Sequence, residues 1–168
     1  MTRSVRGFEP VRQECLKCHG DCGNVILPKR STARSSGYDL FVPEYYSAFG
    51  GIKVPPKTKV PVWSDVKADM LEDEVLYMFI RSGLSLKNSV ELANCVGVVD
   101  SDYYSNIDND GNIAVALENT GDQEVFIPYL DKHGNRNRIA QLIFSKYLIT
   151  DDDDECEEVR NGGWGHSG

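Results

Sequence analysis

Apolar positions along this chain fall in short runs separated by turn formers, and stretches with the 3.6-residue period of an amphipathic helix are nearly missing. That pattern predicts an all-β sandwich or barrel. Residues 38–42 read as one strand, followed by a turn at Phe49-Gly50-Gly51. Residues 57–63 read as a second, flanked by Pro55-Pro56 and Ser64-Asp65. Val75-Leu76-Tyr77-Met78-Phe79-Ile80 is a continuous apolar run, which predicts a strand buried on both faces. Ile113, Val115 and Leu117 alternate with smaller or polar neighbours, as a half-buried strand does. Residues 124–128 and 138–147 complete the set, with loops at Gly121-Asp122 and His133-Gly134-Asn135. Only residues 84–91 suggest a helical turn or two. Residues 1–30 carry little pattern beyond one strand near 11–16, and no internal repeat is present.

A length of 168 residues supports one domain with a core of its own. The chain divides into a β domain over 1–150, poorly patterned in its first 26 residues, and an acidic linker with a C-terminal arm over 151–168. Its net charge of -8 argues against binding a nucleic-acid backbone. Any phosphate-bearing ligand is therefore expected to be small and met by a few placed cations. No apolar run approaches the roughly 20 residues of a membrane span, and the first residues lack the apolar core of a signal peptide. A cytoplasmic location is expected, with no membrane partner. Cys15, Cys18 and Cys22 cluster with His19, while Cys95 and Cys156 stand apart. Zinc is conceivable at the cluster, although adjacent Cys18 and His19 make tetrahedral closure awkward; plain reduced thiols are the other reading.

The chemistry-bearing residues fall at the ends of the strands. Ser36-Gly37-Tyr38-Asp39-Leu40 opens one strand, and Arg81-Ser82-Gly83 closes the long apolar run. Asn94-Cys95-Val96-Gly97-Val98-Val99-Asp100-Ser101-Asp102-Tyr103 surrounds a glycine, and Arg138-Ile139-Ala140-Gln141-Leu142 begins the last strand. The fifth island is the tail, Arg160-Asn161-Gly162-Gly163-Trp164-Gly165-His166-Ser167-Gly168. Such a tail cannot build a core, but it can wrap a ligand. Glycine lets backbone approach closely, Arg pairs with phosphate, and Trp offers a flat face for a base. Each island alone reads as a turn, a solvated face or, for the tail, plain disorder.

Together and in this order, the five islands resemble the five motifs of the trimeric deoxyuridine triphosphatases, the dUTPases, over residues 27–168. Residues 63–68 and 100–112 look like the bacterial and phage branch. The resemblance implies a jelly-roll-like β subunit with a flexible C-terminal arm, and a homotrimer whose three subunits share active sites. It implies hydrolysis of dUTP to dUMP and pyrophosphate with Mg²⁺.

Asp100 then stands at the position of the base that orients and deprotonates the attacking water. Ser82 meets the oxygen bridging the α and β phosphates. Arg81, Gly83 and Gln141 serve phosphate oxygens or the water. Asn94 and a hairpin around Gly97 read the uracil edge, since an amide presents both donor and acceptor. Tyr103 would lie under the deoxyribose and exclude a 2′-hydroxyl, or else be a core aromatic. Asp39 either reaches Mg²⁺ through water or anchors hydrogen bonds. Arg138 and Asp102 read as structural ion-pair or hydrogen-bonding groups. From the arm, Arg160 grips the γ-phosphate, Trp164 stacks on uracil, and Ser167 binds further phosphate oxygens. The like charges of residues 151–158 would keep the arm loose until ligand arrives.

The chain departs from that pattern in four places. Trp164 stands where Phe is usual, and the tail is one residue short after Arg160. An insert follows Tyr103 through Asn112, resembling a calcium loop but lacking its final Glu, and reads as a surface loop. A second insert spans 129–137. Two alternatives remain open: a dCTP deaminase of the same fold, or a regulatory module binding an unknown protein partner, for which the inserts and the cysteine cluster are candidate surfaces.

Overall fold

The computed structural model describes residues 6–17, 25–153, 160 and 162. Twelve strands are described, and every pairing among them is antiparallel. The largest sheet runs in the order β2 (Lys29–Arg30), β3 (Tyr38–Phe41), β12 (Arg138–Lys146), β7 (Glu74–Ile80), β9 (Gly97–Asp100). A second sheet joins β5 (Lys59–Trp63), β10 (Ala114–Asn119) and β8 (Val90–Leu92). Two ribbons complete the fold: β1 (Gly7–Pro10) with β6 (Val66–Asp69), and β4 (Gly51–Val54) with β11 (Val125–Pro128). Between these layers Leu40, Ile52, Val62, Leu76, Met78, Val115, Leu117, Ile127, Ile139 and Leu142 are almost wholly buried. Each such side chain stabilises the fold by about 1.5–3 kcal/mol through removal from water. The architecture is the all-β fold that the periodicity predicted, in the jelly-roll-like form that the resemblance implied. Among the described residues no helix is long and apolar enough to cross a membrane.

Several local expectations are corrected. The long apolar run does form the central strand β7, but only Val75, Leu76 and Met78 of its hydrophobic residues are buried; Tyr77, Phe79 and Ile80 are half-covered. The N-terminal strand lies at Gly7–Pro10, not at 11–16, where Gln13–Cys15 form a 3-10 turn. Backbone carbonyls take the N–H groups of Val11, Cys15 and Leu16, and side chains take two more: Arg12 N–H donates to Asp110 (2.7 Å), and Lys17 N–H to Asp65 (3.0 Å). The expected turn at Phe49-Gly50-Gly51 is real at Gly50, whose φ is 69°, but Gly51 already opens β4. Glycine is required there, because a Cβ at Gly51 would lie 2.2 Å from the Ile127 carbonyl oxygen.

The helix is shorter than expected. α1 spans Ser82–Asn88 and stops at Ser89 in the left-handed region. Val90 and Leu92 then bury on either side of exposed Glu91, a period-two signal that a helical reading of 84–91 overran. Pro61 sits inside β5 without harm because β5 pairs only with β10 and leaves its other edge open.

Candidate active site

The register of the large sheet assembles the first group of site residues. Asp39 on β3 pairs with Gln141 on β12, which pairs with Phe79 on β7. Residues opposed in this way share a face, so the row places Asp39 and Gln141 side by side and delivers Arg81 just past the end of β7. A Cβ at Gly37 would lie 2.8 Å from the Gln141 side-chain oxygen, so the glycine lets the glutamine lie flat beside the turn into β3.

Asp39 is buried and holds this group together. Arg81 and Ser31 both bond its carboxylate, Arg138 Nη1 donates to it at 3.1 Å, and the same Arg138 nitrogen donates to Ser31 Oγ at 3.0 Å. Burial alone would raise its pKa; hydrogen bonds from Ser31 and Arg138, with the Arg81 charge, outweigh burial and hold it below the ordinary carboxylate value. Asp39 and Arg138 are thus an anchor and its ion-pair partner.

Ser82 and Gly83 open α1 on the exposed side of Arg81, and Gly83 has nothing within 4 Å of where a Cβ would stand. The adjoining cleft of about 300 Å³ is lined by Arg81, Gly83, Lys87, Phe126 and Arg138, so three cations converge on it. It suits an anionic ligand.

The second group stands elsewhere. Asn94 is exposed in the turn before Gly97, closed by Cys95 N–H donating to Leu92 O at 2.9 Å. The expected hairpin around Gly97 is not one. Flanking strands β8 and β9 belong to different sheets and pair with β10 and β7 respectively, so residues 93–96 form a corner between layers. Gly97 packs on Met78, where an added Cβ would meet that side chain at 2.6 Å.

Asp100 ends β9, exposed, and Arg160 lies on it: Nη2 to Asp100 at 2.7 Å and Nε to Asp102 at 3.0 Å. The guanidinium also stands over the Tyr103 ring, 5.6 Å from its centre. Tyr103 itself is 4% exposed, and its pKa is raised, chiefly by burial, so it stays a neutral hydroxyl.

The two groups do not meet within one chain. Asp100 pairs with Val75 and Gln141 with Phe79, on opposite sides of β7. Four residues along a strand and two strand spacings across put their backbones about 16 Å apart, at roughly 3.3 Å rise and 4.8 Å spacing.

Trp164 and Ser167 lie outside the described residues, as do Cys18, His19 and Cys22 of the cysteine cluster. Cys15 is described as a free, half-buried thiol. Sequence reading missed Ser31, which braces Asp39, and the asparagines of the 104–112 insert, which bond Tyr103. Their only signal was the turn-forming run Asn106-Ile107-Asp108-Asn109-Asp110-Gly111.

Comparison with known proteins identifies the family. The dUTPase family model matches residues 23–168. The deoxyuridine 5′-triphosphate nucleotidohydrolase of Lactococcus lactis subsp. lactis is 39% identical over 166 residues, covering 98% of both chains. A crystal structure of the dUTPase from Streptococcus mutans superposes with a TM-score of 0.67 at 34% identity, covering 86% of this chain and 98% of that one. A variant dUTPase from phage phi11 of S. aureus, in which the coordination of a structural Mg(II) ion is described, shares the fold at 18% identity and a TM-score of 0.59. It covers 92% of this chain and 98% of that one. Five ordered motifs, a jelly-roll-like β fold, and a family match over most of the sequence lead to one conclusion: this chain belongs to the dUTPase family, enzymes that hydrolyse dUTP to dUMP and pyrophosphate.

Proposed function

We propose that the dUTP site is completed between copies of this chain, in a homotrimer, with Asp100 as its general base. The observation that carries this is the separation of the two residue groups. Arg81, Ser82, Gly83 and Gln141 make a phosphate-binding half beside the cationic cleft, and Asn94, Gly97, Asp100 and Tyr103 make a base, sugar and water half on β9. A second copy brings one half opposite the other. Bare apolar surface supports an assembly: Val98 on outer strand β9, and Leu148 and Ile149 beyond β12, are exposed.

In the reaction a water oxygen attacks the α-phosphorus and Asp100 takes its proton. The bond from that phosphorus to the bridging oxygen breaks, and pyrophosphate leaves. Ser82 donates to the bridging oxygen, while Arg81 and Gln141 neutralise and hold the phosphate oxygens as charge builds. Asn94 and the corner before Gly97 pair with the uracil edge. Cytosine would leave a buried group unpaired there, which is worth a factor of roughly 10⁴ against it. Tyr103 packs under the deoxyribose. Arg160 passes from its carboxylates to the γ-phosphate, Trp164 stacks on the base, and Ser167 binds phosphate.

The described residues of this site suit Mg²⁺ as a substrate-borne ion. No group of three or more His, Cys, Asp or Glu side chains gathers among the described residues. Ser31, Arg81 and Arg138 take three of the roughly four acceptor positions on Asp39. The ion would draw its ligands from the triphosphate and water, with Asp39 at most in contact through a water. It supplies charge neutralisation on the phosphates.

The test is pyrophosphate release from dUTP with Mg²⁺, beside dCTP, dTTP and UTP, for the intact chain and one ending at Glu158. Activity confined to dUTP and lost on truncation is expected; activity surviving truncation would remove the arm from catalysis, and ammonia release from dCTP would mark a deaminase.

Gly83→Ala separates fold from site. Alanine should fit the free protein and favour the helix by up to about 1 kcal/mol, leaving the melting temperature unchanged or raised. The methyl group would nonetheless fill space reserved for phosphate and raise KM on the order of tenfold or more. An unchanged KM would take Gly83 out of the phosphate half.

A further inference from the structure

Tyr103 is held by the insert that follows it. Its hydroxyl donates to the Asn112 carbonyl at 2.9 Å and accepts from Asn109 Nδ2 at 2.8 Å. Asn109 is fixed in turn, since its Oδ1 accepts from Asn106 Nδ2 (2.9 Å) and from Gly111 N–H (3.0 Å). Asn106 Nδ2 also donates back to the Tyr103 carbonyl at 2.9 Å, so ring and backbone are gripped by one network. Gly111, at φ 81°, lets the loop close on that tyrosine, because a Cβ there would lie 2.8 Å from the Tyr103 carbonyl oxygen.

The loop is tied to the body of the protein at its far end. Asp110, 1% exposed, bonds Lys67 Nζ at 3.0 Å and Arg12 N–H at 2.7 Å. Burial would raise its pKa, but the Arg12 N–H and Lys67 outweigh it and keep the carboxyl below its ordinary value. Asn112, fully buried, exchanges hydrogen bonds with Asp65 at 2.9 and 3.0 Å. A core aromatic needs none of this; phenylalanine would fill the space. Two anchored partners on one hydroxyl set where the ring stands and how far it can yield.

We propose that Asn109 is a positioning residue for Tyr103, and that the 104–112 insert is a clamp controlling discrimination against ribonucleotides. The inference rests on the reading that Tyr103 packs under the deoxyribose. A ring that excludes one 2′-oxygen works only if it cannot retreat by a fraction of an ångström. The clamp supplies that stiffness through a loop that makes no contact with the nucleotide.

The readout is the ratio of kcat/KM for dUTP to that for UTP, with melting temperature as a control. Asn109→Ala should lower the ratio about tenfold and Tyr103→Phe at least as much, with the double variant no lower than Tyr103→Phe alone, since Asn109 reaches the ring only through that hydroxyl. Asn109→Asp guards against a collapsed loop: its Oδ1 can still serve Gly111 and Asn106, but its second oxygen no longer donates to the hydroxyl. It should lower the ratio as well. An unchanged ratio in Tyr103→Phe and Asn109→Asp, beside a fall in Tyr103→Ala, would overturn the clamp and leave the sugar contact standing. Multiplicative losses in the double variant would overturn it too. An unchanged ratio in Tyr103→Ala would remove the sugar contact, and the clamp with it, without touching dUTP hydrolysis itself.

Discussion

Asp100→Asn is expected to cut dUTP turnover by about a thousandfold, the scale of a lost general base, while nucleotide affinity stays within a few-fold. The amide keeps the shape of the carboxylate and can still orient water, but it cannot accept the proton. In the substrate-free chain Arg160 lies on Asp100, and that pair must open before Asp100 can act. The Asp100 and Asp102 side chains are 53% and 55% exposed, which weakens their hold, while Arg160 is 13% exposed against the Tyr103 ring. A triphosphate offers the guanidinium a stronger partner. Single-turnover pyrophosphate release, set beside titration with a non-hydrolysable dUTP analogue, separates the two effects. Turnover near that of the unmodified protein would take the base away from Asp100. Loss of binding with loss of turnover would make its role electrostatic anchoring of the arm.

Mixing two inactive variants should restore activity. Asp100→Asn damages the half-site on β9, and Arg81→Ala damages the one at the end of β7, about 20 Å away at six residues along β7 from the Asp100 partner Val75 and one strand spacing across. If each site takes its phosphate half from one copy and its base from another, some mixed assemblies contain an intact site. Random assembly of equal amounts into closed threefold rings leaves about a quarter of the sites whole. Subunit exchange by mild unfolding and refolding of the mixture, followed by the dUTP assay, reads this directly. A mixture as inactive as its components would place both halves in one chain and sink the shared site. Asp39 is unsuitable for this experiment. It pairs with Arg81 and Arg138, and its removal would leave two cations unpartnered and blur site damage with misfolding.

The β architecture was legible because alternation and turn residues follow directly from strand geometry. Ile113, Val115 and Leu117 point inward as their spacing requires. The family was legible because phosphate chemistry favours particular residue types at strand ends, and Arg81-Ser82-Gly83 and Asp100 to Tyr103 stand at such ends. What local pattern did not carry was pairing. The run 75–80 could have been buried on both faces, but in one chain β7 lies between β12 and β9 with Tyr77, Phe79 and Ile80 half-covered. The corner at 93–96 resembled a hairpin, since a turn looks the same whether its strands pair with each other or with different sheets.

The insert shows the boundary most clearly. Its polar, turn-forming residues read as a surface loop, because composition cannot reveal that Asn109 ends against a tyrosine hydroxyl six positions back. Residue types and their order thus settled the fold class and the reaction. Long-range strand order decided that Gln141 and Asp100 stand on opposite sides of β7, and side-chain hydrogen bonding decided that the loop holds Tyr103. Both depend on contacts that only the folded chain brings about, and no local period encodes them.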